Sequence, residues 1–316
     1  MRTRTAVAAG TVAAGVGVLA WQRRQREPRG EQLPTLGSLG GEERTVKTAD
    51  GAQLSMTVAG DADGRLVVMA HGWTCDRTTW TPVARRLIDR GHRIAIYDQR
   101  GHGASKVGED GFTIEALGDD MGAVLEELDA TGAVIAGHSM GGMAVQSFAV
   151  RHPDVLARRV SGLALVATAS EKVVGRGVAA SVAHMVLANP AVDRAVASAT
   201  VGPWLVRGSV GRRPARAWLE SMRTTFAATS TEARLGFLDA FQTLDLSATL
   251  SEVRVPTVVM VGTRDLVIPP ARGRRLAELI EGGRLVEFKG AGHMLPYEVP
   301  DAVAEILASL AAAPSA

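Results

Sequence analysis

Residues 132–153 read GAVIAGHSMGGMAVQSFAVRHP, and the order of residue types in this stretch decides the fold. A short uncharged run suited to a buried strand ends in Gly-His-Ser-Met-Gly, and a helix-compatible run follows, closing at His-Pro. A surface loop has no use for a serine set between two glycines where a strand becomes a helix. A nucleophile presented at the apex of a sharp turn requires that context. Gly137 and Gly141 lack side chains, so the segments on either side of Ser139 can pass close together. The backbone N–H of Met140 then opens the helix. There it is an expected oxyanion donor, helped by the positive end of the helix dipole.

A neutral serine is a poor nucleophile, so it needs a base, and the base needs an orienting group. Seven histidines compete for the first role. His293, in VEFKGAGHMLPYEVP, follows the last strand-like run in a glycine-rich loop and is the expected base. His138 adjoins the serine, but on a tight turn its ring is directed elsewhere. His71 and His102 fall in other loops. His92, His152 and His184 fall at helix edges or in a helical stretch, where solvated or capping roles are expected. The acid should lie between serine and histidine in the chain. Asp265, in VVMVGTRDLVIPP, leaves a strand directly into a proline-rich loop; Glu171, after LALVATAS, is its rival. In MAHGWTCDRTTW, His71-Gly72 ends a strand and turns the chain, which predicts the N–H of Trp73 as the second oxyanion donor.

Around these motifs strand-like and helix-like segments alternate. Two β-like runs meet at Asp50-Gly51, a hairpin signal. RLVVMAHG, HRIAIYDQ and AVIAGHS read as strands, and TTWTPVARRLIDRG and TIEALGDDMGAVLEELDATG as helices. Such alternation predicts an α/β fold, a mostly parallel central sheet with helices on both faces. From residue 170 to 250 the alternation stops and the chain looks helical, before strand and helix resume over 251–316. The expected organisation is therefore an apolar segment and polar linker over 1–42, a core over 43–169 and 251–316, and a helical cap insertion over 170–250.

With these motifs in place, the chain resembles the α/β-hydrolase superfamily from about residue 43 to 311, leaving out the insertion. Ser139, Asp265 and His293 match its triad positions in order, HGW its oxyanion loop, and GHSMGG the elbow of its esterase-, lipase- and haloperoxidase-like branches. DQRGHGAS, residues 98–105, matches a structural loop common in the family. The resemblance implies a serine hydrolase that cleaves a carboxylic ester through an acyl-enzyme and needs neither metal nor organic cofactor. A perhydrolase, an acyltransferase, a carbon–carbon bond hydrolase and a catalytically silent binding member of the fold are the alternatives.

The charge balance, 35 basic against 33 acidic residues, gives no field that argues for nucleic acid. With one cysteine, Cys75, the chain forms no internal disulfide. The insertion carries Trp204, Trp218, Phe226, Phe237 and Phe241, which would suit a hydrophobic or lipid-like ester. At the N-terminus, the apolar run 6–21 is flanked by Arg2 and Arg4 and by Arg23, Arg24 and Arg26. It is short for a bilayer span, and three placements stay open: a signal-anchor, a cleaved signal peptide, or a helix packed on the domain. Membrane association through this run is the expectation, with secreted and cytoplasmic locations as alternatives. The sequence assigns no oligomeric state.

Overall fold

A computed structural model describes residues 36–312, apart from residue 172, residues 174–177 and residue 213. The apolar run 6–21 lies outside the described residues. Among those described, no helix is long and apolar enough to cross a membrane.

The first half of the chain forms β1 (Glu42–Lys47), β2 (Gln53–Gly60), β3 (Leu66–Ala70), α1 (Thr81–Ile88), β4 (Arg93–Tyr97), α2 (Ile114–Glu127), β5 (Ala133–His138) and α3 (Met140–Arg151). Next come α4 (Pro153–Arg159) and β6 (Val160–Val166). Among the described residues, five α-helices separate β6 from the next strand: α5 (Val178–Leu187), α6 (Pro190–Ala197), α7 (Gly202–Val206), α8 (Arg216–Ala228) and α9 (Thr231–Thr243). The chain closes with β7 (Thr257–Gly262), α10 (Pro270–Leu279), β8 (Arg284–Phe288), α11 (Leu295–Glu298) and α12 (Pro300–Ala311).

The strands form one eight-stranded sheet in the order β1-β2-β4-β3-β5-β6-β7-β8. β2 runs antiparallel to both β1 and β4, and every other pairing is parallel. The α/β architecture expected from the alternation is the one observed. One detail differs. The helix after the elbow stops at His152, and a separate helix starts at Pro153, because a residue preceding proline is pushed out of helical geometry.

Alternation along the buried strands divides the core. Leu66, Val68 and Ala70 of β3 and Ala133 and Ile135 of β5 pack against Met121, Leu125, Phe148 and Leu276, from α2, α3 and α10. Val67, Met69, Val134 and Ala136 face the other way, against Val83, Leu87, Val303 and Leu307 of α1 and α12. Each Val, Leu, Ile, Met or Phe side chain among these contributes roughly 1.5–3 kcal/mol by leaving water. The helices are started locally. Thr113 caps α2 by accepting from Ala116 N–H (3.1 Å), and Ser230 caps α9 by accepting from Ala233 N–H (3.1 Å).

This topology positions the candidate residues. The loops carrying Trp73, Ser139, Asp265 and His293 follow β3, β5, β7 and β8, so all four leave the carboxyl ends of parallel strands and meet at one edge of the sheet.

Candidate active site

Ser139 sits between β5 and α3 with φ 53° and ψ −116°, a conformation that side-chain-bearing residues rarely adopt. Holding it there costs on the order of 1–3 kcal/mol, which the surrounding bonds offset. Ser139 N–H donates to Val166 O (2.9 Å), and its carbonyl accepts from Thr168 Oγ1 (2.7 Å) and from Gly142 N–H (2.9 Å). The turn closes because β-carbons are missing: one added at Gly137 would fall under 3 Å from Gly141 O, and one at Gly141 under 3 Å from Ala70 O.

His293 and Asp265 are both buried and joined, Nδ1 to Oδ2, at 2.8 Å. Because the partner is a carboxylate, Nδ1–H is the donor in this bond. The other carboxylate oxygen of Asp265 accepts from the N–H groups of Val267 and Ile268, each at 2.9 Å, which fixes its plane. The backbone of Glu171 pairs with that of Asp245 in an isolated antiparallel β-bridge. Of the two carboxylates weighed from the sequence, the structure pairs Asp265 with the histidine.

The β3 loop runs against the elbow, where the side-chain position of Gly72 is taken up by His138 and Ser139. Its own bonds pass around Trp73: Thr74, at φ 57°, donates its N–H to His102 Nε2 (3.1 Å), and Cys75 N–H donates to Gly72 O (3.2 Å). Over Met140 lies an apolar cluster that includes Met143, Ile268, Phe237 and Phe241, with Trp73 packed against it. The Trp73 and Phe241 rings meet edge to face, 5.6 Å between centroids.

A model of the alpha/beta hydrolase family matches residues 67–306. The chain belongs to that family.

The hydrolase is 26% identical over 263 residues to a bifunctional esterase/perhydrolase of Acinetobacter calcoaceticus, covering 79% of this chain and 93% of that protein. It is 29% identical over 262 residues to a non-heme chloroperoxidase of Streptomyces lividans, covering 79% and 92% respectively. Among solved structures, the enol-lactonase of Burkholderia xenovorans superposes with a TM-score of 0.71 at 27% identity, over 84% of this hydrolase and 99% of that chain. Relatives of this kind make the chain an enzyme of hydrolase type.

Three further histidines of the hydrolase support the site without lying at its centre. His138 Nε2 lies 2.9 Å from His293 O, so it carries a proton and donates it, while the buried Nδ1 has no partner among the described residues. His71 Nε2 accepts from Gln99 N–H (3.0 Å), which leaves Nδ1–H to donate to Gly72 O (2.7 Å). His102 accepts at Nε2 from Thr74, so its Nδ1–H donates to Arg100 O (3.1 Å). All three rings are therefore neutral. Burial lowers each below the usual imidazole range: His102 to about 3, helped by His71, and His138 well below normal, helped by His293. Sequence reasoning placed His138 beside the nucleophile and gave it no role; no local pattern marks a ring whose partner is 155 residues away.

Proposed function

We propose that this hydrolase cleaves a carboxylic ester with Ser139 as nucleophile, His293 as base, Asp265 as its orienting acid, and the N–H groups of Trp73 and Met140 as oxyanion donors. The His293–Asp265 pair carries this reading. Protonated at Nδ1 and bare at Nε2, His293 takes the Ser139 proton as Oγ bonds to the acyl carbon. The protonated imidazole then passes that proton to the departing alcohol, leaving an acyl-enzyme. Water adds to the acyl carbon and gives a proton to His293 Nε2, which passes it to Ser139 Oγ as the Oγ–acyl bond breaks and the acid leaves. Asp265 holds the ring and offsets its transient positive charge.

Residues 43–169 and 251–316 form the core in this proposal, and residues 170–250 a cap. Phe237 and Phe241, packed with Met140 and Ile268, support an apolar acyl group as the favoured substrate portion. Membrane attachment through residues 6–21 stays part of the proposal, and a chain lacking residues 1–42 should keep its turnover of soluble esters. The names of the relatives favour a second acceptor: hydrogen peroxide in place of water would release a peracid from the same acyl-enzyme.

A fluorophosphonate probe read by intact mass tests the reading without a guess at the substrate. A single adduct on the wild type that is absent in Ser139→Ala is the expected result, followed by turnover of short acyl esters. Folded wild-type protein that takes no label and turns over no ester overturns it.

A further inference from the structure

The peptide of His293 is held from three sides, and two of the holds come from outside its own loop. Its N–H donates to Ser209 O (2.9 Å), in the segment between α7 and α8, and its carbonyl accepts from His138. The preceding N–H, of Gly292, donates to both carboxylate oxygens of Glu298, at 3.0 and 2.9 Å. Glu298 Oε2 also accepts from Gly211 N–H at 2.8 Å. The short helix α11 carries Glu298 back over the start of its own loop, and there one carboxylate joins two chain segments 81 residues apart, Gly211 and Gly292.

The contact between the segments is backbone against backbone. A β-carbon at Gly292 would lie 2.6 Å from Gly211 N and 2.7 Å from Val210 C. One at Gly211 would lie 2.6 Å from Glu298 Oε2. Oε2 accepts from both N–H groups and Oε1 adds a second bond to Gly292 N–H, and charge makes such bonds stronger than neutral ones. Burial pushes the Glu298 carboxyl upward, against the pull of the Gly292 and Gly211 N–H groups. A carboxylate kept in such surroundings without its donors would be costly.

We infer that Glu298 is a positioning residue: together with Ser209 and Gly211 it registers the helical insertion against the loop of His293, so that the seating of the insertion sets where the imidazole stands. This rests on His293 being the base. Glu298 and Gly211 touch no reacting atom, and their effect passes through the His293 backbone. Displacement of a catalytic group by about 1 Å costs on the order of 10²-fold in rate.

The test uses the full chain, with Glu298→Gln, Glu298→Ala, Gly211→Ala and the double variant Glu298→Ala/Gly211→Ala. Turnover of a short p-nitrophenyl ester is expressed per Ser139 titrated by fluorophosphonate, alongside KM and the melting temperature. Labelling of wild-type Ser139 reports on the parent reading separately, so its failure is distinct from failure here. The expected result is a fall in kcat per titrated site of about 10-fold for Gln and about 10²-fold for Ala, with KM nearly unchanged. Gly211→Ala disturbs one of the contacts that Glu298→Ala removes, so it should lower kcat in the same direction by a smaller factor, and the double variant should be no worse than Glu298→Ala. Variants that melt earlier but keep full kcat per titrated site, or losses that simply add, overturn the inference. Glu298→Gln preserves shape and one acceptor, so it serves where the alanine variant fails to fold.

Discussion

Gly72 and Ser139 stand so close that a β-carbon on the glycine would lie 3.2 Å from Ser139 Cβ and 2.9 Å from His138 Nδ1. The β3 loop and the elbow are thereby held against each other, and Trp73 follows directly on that contact. That contact exists because the loop carries no side chain at this position.

Gly72→Ala should therefore move the Trp73 N–H away from the developing oxyanion while leaving the His293–Asp265 pair intact. The expected loss is about 10²-fold in kcat, the usual effect of removing one oxyanion donor, with KM little changed. Steady-state rates on a short ester check it. An unchanged kcat in folded protein would remove Trp73 from the proposed mechanism.

Asp265→Asn keeps an oxygen for the N–H groups of Val267 and Ile268, so the loop should stay folded. Its amide then donates to His293 Nδ1, which forces the proton to Nε2, where it blocks acceptance from Ser139. A fall in kcat approaching 10⁴-fold is expected. Glu171→Gln, altering the carboxylate that competes in sequence, should change kcat less than two-fold. Reversal of these two outcomes would reassign the acid.

The buried neutral histidines predict how stability depends on pH. A histidine whose folded value is depressed contributes stability that is complete above the unfolded value of about 6.5 and is lost as pH falls toward the folded one. For His102, lowered to about 3, the window runs from roughly pH 6.5 down to 3 and is worth roughly 5 kcal/mol, with His71 and His138 adding in the same direction. Urea midpoints should drop steeply between about pH 7 and about pH 4. His102→Gln, which can still bond Thr74 and Arg100, should flatten the slope. A midpoint independent of pH over that range would contradict the neutral assignment.

What was legible in the sequence was local. Strand ends, the Gly-His-Ser-Met-Gly turn and the single residues that leave each strand carry their chemistry within a few positions. Ser139, Asp265, His293 and the β3 loop could therefore be placed by order along the chain. The supporting shell is made of pairs remote in sequence. Arg100, wholly buried, bonds Asp120 (2.7 Å) and Asp50 (2.8 Å), and the sequence marked only the loop it belongs to. His138 was visible as a neighbour of the serine, but its bond to His293 depends on how β5 and β8 are ordered in the sheet. Between β6 and β7, periodicity identified helices and left open which aromatic rings face inward. The edge-to-face contact of Phe241 with Trp73 decides that for one of them.

The seam between Gly211 and Gly292 bears on how such a fold is recombined. The segment after β6 leaves and re-enters the sheet between adjacent strands, which makes it an obvious unit to exchange between relatives when a new specificity is wanted. Here the exchanged piece would also carry away the acceptor for His293 N–H and one of the two donors to Glu298. A graft joined cleanly at both strand ends would still yield a poor enzyme unless it presented a carbonyl where Ser209 does and a residue without a side chain where Gly211 lies. Chimeras should be aligned on that seam before they are aligned on their helices.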